Sequence, residues 1–295
     1  MKTAASNSHA GFFRRLKTPF MQGAKQALQW RLLALWLLAL ALPLVLGMLP
    51  LWLALAGVLD NALLGRRLVE NFDMTVFSEV MSALGPRGYS PASGLGALLV
   101  FVLLLPWLTG MLMAAARAPQ RLGFGGLLMG GWSEYGSSAR LWLWALLPLG
   151  LVGAASAGLL KAVKEYALTM TLQANADLLG DATMLLAALL FIVAHATVDA
   201  ARAQLVVEPR RRSVVMAWWR ATRGLLRQPS RLLLYAAVTL AGLLLAAMVG
   251  WVRIRLAPTT GLRFIAALVL GQLLVLVLAW MRCARLFALV AAGRG

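Results

Sequence analysis

The chain has 295 residues, of which 61% are hydrophobic, where soluble domains average about 45–50%. Its 28 Lys and Arg against 10 Asp and Glu give a net charge of +18, and it carries one cysteine, Cys283. A soluble globular fold, an internal disulfide and a cysteine zinc site are thereby excluded, and the charge becomes a question of membrane sidedness rather than of nucleic-acid binding.

The first 31 residues carry Lys2, Arg14, Arg15, Lys17, Lys25 and Arg31, with His9 among them. This segment is longer and more mixed than the charged start of a signal peptide, and the run that follows is uncharged over all 28 residues of 32–59. At about 1.5 Å per residue that run exceeds a hydrocarbon core of roughly 30 Å, so it predicts an uncleaved first span that tilts or bends, with Pro43 and Pro50 as the bending points. Leu64, Leu68, Phe72, Val76, Val80 and Leu84 then recur every four residues among charges, which describes an amphipathic helix stopped at Gly85-Pro86.

Apolar runs predict a second span over about 95–116 and a third over 141–160. The glycines between them (Gly123, Gly125, Gly126, Gly130 and Gly131) lack the Lys-Ser/Thr and the preceding strand of a phosphate loop. They fit a flexible entry into an interfacial helix instead. Within the third span Gly150, Ala154 and Gly158 form a small-residue stripe, expected to pack against a neighbouring helix of the same chain. A polar connection over 161–182 leads to spans at about 183–201, 232–252 and 264–281.

The whole is one integral membrane domain, all-α, with six transmembrane helices in three helical hairpins and amphipathic helices at the interface. On the side of the termini the loops hold 20 Lys and Arg against three acids; on the other, eight against seven. The positive-inside rule therefore puts both termini in the cytoplasm. Three times a polar helical segment precedes a cation and an apolar run, starting near Gln22, Gly130 and Met216, which suggests a threefold repeat.

The most charged turn lies between spans four and five. His195, Asp199 and Arg202 fall at i, i+4 and i+7, on one helix face. Ionisable residues in a span often mark a relay or ligand site, but Asp199 sits near the end of its span, where pairing with Arg202 at the interface accounts for it. Beyond, Arg212, Arg220, Arg223 and Arg227 gather on one arc of a helix, with Val214, Val215, Trp218, Trp219, Leu225 and Leu226 opposite. That pattern predicts an interfacial helix with its apolar side toward acyl chains and its arginines toward anionic headgroups or a protein partner. Gln272, in the middle of the sixth span, is the best candidate for an interhelical hydrogen bond.

Asp199-Ala-Ala-Arg202, Leu205-Val-Val-Glu208, Ala217, Arg220 and Arg223-Gly224 together resemble a pattern in six-span bacterial membrane proteins of mostly unknown function. These include the membrane domain attached to some glycerophosphodiester phosphodiesterases. The resemblance spans about residues 195–245. It implies a six-helix bundle in the bacterial inner membrane and no phosphodiesterase chemistry, which belongs to a separate soluble domain. Neither an HExxH motif nor a Gly-x-Ser-x-Gly elbow occurs. The expectation is a non-enzymatic scaffold or membrane subunit of a larger complex, without metal or cofactor. A permease or lipid-handling protein is the alternative. Expected partners are membrane lipids with anionic headgroups on the cytoplasmic side and a protein of the same complex, not nucleic acid.

Overall fold

A computed structural model describes residues 17–59, 74–87, 90, 92, 94–170, 172–208, 213–256 and 261–294. The described residues form helices and no strand. They are α1 (17–27), α2 (Trp30–Leu59), α3 (Met74–Leu84), α4 (Gly94–Arg117), α5 (Phe124–Ser133), α6 (Tyr135–Ala167), α7 (Gln173–Val207), α8 (Val214–Arg227), α9 (Pro229–Arg255) and α10 (Gly261–Arg294). Six of them, α2, α4, α6, α7, α9 and α10, are long and apolar enough to cross a membrane, so the chain is a multi-pass membrane protein. The chain divides into two compact units, 34–108 and the remainder.

In the smaller unit the helix α2 runs through both Pro43 and Pro50. Ala54 of α2 is buried with Val80 and Leu84 of α3, and Leu51, Leu55 and Ala83 pack around them. Val80 and Leu84 are thus the inward positions of the amphipathic period. The earlier part of that predicted helix, with Leu64, Leu68 and Phe72, lies outside the described residues. Gly47 of α2 lies so near α4 that a Cβ there would stand 3.2 Å from the Ala97 Cβ.

In the larger unit the spans outrun the lengths expected from hydropathy. The sixth does so most, with a consequence for the core. The apolar run breaks at Arg282, yet α10 continues to Arg294, and Ala279, Met281 and every residue from Cys283 to Val290 are buried. This is a correction: the stretch after Met281 is not a solvated basic end but the most continuously buried part of the unit. Small residues explain it. Gly23 of α1 sits against it with no room for a side chain, since a Cβ would stand 2.7 Å from the Ala288 backbone nitrogen and 2.9 Å from the Ala284 carbonyl.

The third span departs from expectation in the opposite sense. Of α6 only Ser138, Leu141 and Ala145, near its first turns, are buried. Gly150, Ala154 and Gly158 are all exposed, and no described atom lies within 4 Å of a Cβ built on either glycine. The intramolecular packing expected of this stripe is therefore absent among the described residues, because α7 meets α6 on another face.

Candidate functional site: a buried ion cluster at the basic end

The polar core of the larger unit lies at the end of the bundle that carries the basic loops. The second helices of the three hairpins, α4, α7 and α10, meet there through side chains. Arg117, at the end of α4, donates from Nη2 to the Leu205 carbonyl of α7 at 2.7 Å and from Nε to the Val206 carbonyl at 3.4 Å. Arg285 of α10 places its Nε 3.4 Å from Asp199 Oδ2 of α7. Arg282 of α10 donates to Thr109 Oγ1 of α4 at 3.3 Å, and Arg294 to the Ala116 carbonyl at 3.2 Å. Each helix end is tied to both others.

A surface helix packs on the outside of each of these ends. Glycine makes room for α5 on α4: a Cβ on Gly110 would stand 2.8 Å from the Gly131 carbonyl. Glu134, just after α5, forms an ion pair with Arg117. On α7 lies α8, where Trp218 Nε1 donates to Thr197 Oγ1 at 3.0 Å, and on α10 lies α1, where Trp280 Nε1 donates to the Ala24 carbonyl at 3.2 Å. The surface helix that opens a hairpin thus docks on the hairpin before it, and α1 docks on the last. Within the larger unit the ends of α4, α7 and α10 and their three surface helices thus close into a ring.

Asp199 is at the centre of one side of this ring. It is 3% exposed, with Arg202 at 7% and Arg285 at 8%. Its Oδ1 pairs with Arg202 in the same helix, and its Oδ2 lies 3.5 Å from His195 Nδ1. His195 Nδ1 and the Tyr235 hydroxyl of α9 share a hydrogen bond of 2.9 Å. Arg285 Nη1 donates to the same hydroxyl at 3.0 Å and lies over the Tyr235 ring, 5.3 Å from its centroid. The His195, Asp199 and Arg202 face was visible in the sequence, but its setting was not. Asp199 is not an interfacial partner of Arg202 alone; it joins α7 to α10 in the interior. Such a carboxylate costs several kcal/mol to desolvate unless cations surround it, as they do here. Chemically, Oδ1 is held by Arg202, while Oδ2 lies in ion-pair range of His195 and Arg285 without a hydrogen-bond partner among the described residues, so the cluster ties α7 to α10 through charge.

Sequence reasoning missed Arg285. Its signal was the pair that recurs at the end of each hairpin, Ala116-Arg117, Ala201-Arg202 and Ala284-Arg285.

The remaining candidates are spread out. Arg220, Arg223 and Arg227 are exposed on α8, and Arg223 lies over the Trp219 ring at 4.6 Å. Arg212 lies outside the described residues. Ser213 caps α8 by accepting from the Met216 amide. The apolar side of α8 is divided. Val214, Ala217, Ala221 and Leu225 are buried in the protein, whereas Val215, Trp219 and Leu226 stay exposed. Gln272 is half-buried on α10, away from the ion cluster, and makes no hydrogen bond with another described residue. Among the described residues no group of three or more His, Cys, Asp and Glu could hold a metal ion. The chain matches no protein-family model, no curated protein and no solved structure, so its function has to be argued from this geometry.

Proposed function

We propose that the chain is a non-enzymatic inner-membrane scaffold, the membrane subunit of a larger complex. One observation carries this reading: the open stripe of Gly150, Ala154 and Gly158 on α6. In the same unit Gly23, Gly110, Gly130 and Gly242 are each filled by a neighbouring atom, whereas Gly153, Gly180 and Gly250 are open but do not form a four-residue stripe with one another. Small residues spaced four apart let two membrane helices approach closely, so an uncovered stripe is a place for a helix from another subunit. Arg220, Arg223 and Arg227 add a cationic surface, held in place because Val214, Ala217, Ala221 and Leu225 of α8 are buried in the protein. The proposed likeness to the membrane domain of glycerophosphodiester phosphodiesterases fits the same reading, since Asp199, Arg202 and Ala217, which carry it, build the ring.

Gly150→Leu with Gly158→Leu tests the stripe. No described atom lies within 4 Å of a Cβ at either position, so the monomer should keep its thermal stability. A photocrosslinker placed at Ala154 in cells should capture a discrete protein in the wild type and lose it in the double variant. Crosslinks to lipid alone would sink the scaffold reading and favour the permease or lipid-handling alternative, for which the exposed length of α6 also speaks.

The proposed orientation puts the basic ring in the cytoplasm. Alkaline phosphatase fused after Gly295 is then expected to be inactive, and the same enzyme inserted between α6 and α7, at Met170, active. The reverse pattern would overturn it.

A further inference from the structure

His195 joins the ion cluster to the outer wall of the bundle. Asp199, Arg202, Tyr235 and Arg285 are buried, whereas the His195 side chain is 26% exposed. Its Nδ1 faces inward, to the Tyr235 hydroxyl at 2.9 Å. The other ring nitrogen, Nε2, is not buried and bonds to no described residue.

The hydrogen bonds decide which nitrogen carries the proton. A tyrosine hydroxyl has one hydrogen to give. The oxygen of Tyr235 already accepts from Arg285 Nη1 at 3.0 Å, and the side chain is buried, so its O–H must find an acceptor inside the protein. His195 Nδ1 is in place for it, while the Thr239 hydroxyl is turned to the Tyr235 carbonyl, at 2.8 Å. Asp199 Oδ2 agrees. It stands 3.5 Å from Nδ1 and receives no hydrogen bond from a described residue, as expected beside a ring nitrogen that accepts rather than donates. An imidazole that accepts at Nδ1 carries its hydrogen on Nε2, so an N–H donor faces out of the bundle.

The surface helix α8 fixes the depth of that donor. Trp218 bonds to Thr197, two residues after His195, or about 3 Å along the helix. Around it α8 exposes Val215, Trp219 and Leu226, as a helix at the boundary of headgroups and acyl chains does. Toward the middle of the span, Met184 and Phe191 are exposed and fall within about 40° of His195 around α7. This face is therefore apolar up to the turn where His195 offers its N–H. Behind the donor two arginines, Arg202 and Arg285, face one carboxylate, Asp199, so an anionic acceptor is favoured over a neutral one.

We propose that His195 donates from Nε2 to the phosphate of an anionic phospholipid whose acyl chain follows Phe191 and Met184 along α7, with Tyr235 and Arg285 holding the ring in the tautomer that does so. This goes beyond the scaffold reading, and its failure would leave that reading untouched.

The test has two readouts. The first is solid-state NMR of the full chain, isotope-labelled at histidine, in vesicles of phosphatidylcholine and phosphatidylglycerol. His9→Gln leaves His195 as the only histidine. Its Nε2 should be protonated, and the Nε2 signal should be dephased by lipid phosphorus. The second is native mass spectrometry in detergent, where phosphatidylglycerol should bind about tenfold more tightly than phosphatidylcholine, as a hydrogen bond to a charged group allows. His195→Gln, which keeps a donor and an acceptor, should retain that preference, and His195→Phe should lose it. A proton on Nδ1 in place of Nε2, equal binding of the two lipids by the wild type, or displacement of the lipid by equimolar inorganic phosphate overturns the proposal. So does an unchanged preference in His195→Phe; should that variant aggregate, the wild-type measurements decide.

Discussion

Asp199→Asn is expected to destabilise the folded chain by about 3–5 kcal/mol, the usual cost of removing one partner from a buried ion pair. The substitution keeps the side chain's shape and one acceptor oxygen, so it creates no cavity. What it removes is the anion. Arg202 and Arg285, both buried beside it, then face each other with Arg282 close enough for all three charges to interact, and no compensating carboxylate is left among them. The loss should register as a lower midpoint of thermal aggregation in detergent. Asp199→Asn combined with Arg202→Gln should cost less than the two single changes added together, because groups in one network are coupled. Strict additivity, or a midpoint unmoved by Asp199→Asn, would mean that the cluster does not hold α7 to α10. A relay or ligand role would predict the opposite pattern, an intact midpoint with altered function.

The membrane class, the six spans and the surface helices were legible because each rests on a local signal. Long uncharged runs give spans, and apolar residues at helical spacing beside arginines give an interfacial helix. His195, Asp199 and Arg202 were legible as one face for the same reason. Three things were not. The continuation of α10 was hidden because hydropathy scores Arg282 and Arg285 as the end of a span, whereas Asp199, 86 positions or fewer away in sequence but on another helix, offsets the charge of Arg285. The division of α8's apolar side was hidden because buried Ala217 and Ala221 score less apolar than exposed Trp219 and Leu226, although their small size is what lets α8 lie on α7. The open stripe on α6 was hidden because small residues at four-residue spacing say that a helix can approach closely and not which helix does.

Gly23→Leu is expected to open the ring where the surface helix α1 docks on α10. The joints made by α5 and α8 connect neighbouring hairpins, but α1 reaches from the start of the chain to α10 at its end, and the contact is glycine against backbone. A leucine Cβ would stand 2.7 Å from the Ala288 nitrogen and 2.9 Å from the Ala284 carbonyl. Those atoms belong to the stretch of α10 that is buried without a break from Cys283 to Val290, so α10 cannot yield and α1 must lift away. Overpacking typically costs about 1–3 kcal/mol. Here the loss also breaks the bond from Trp280 to the Ala24 carbonyl and uncovers Ala27, which is fully buried. Lys25 lies within α1, so trypsin cuts there only when the helix opens locally. Cleavage at Lys25 should therefore be at least tenfold faster in Gly23→Leu than in the wild type, while Gly150→Leu, in open space, should leave it unchanged. If all three proteins are cut at Lys25 at one rate, α1 is not clamped to α10.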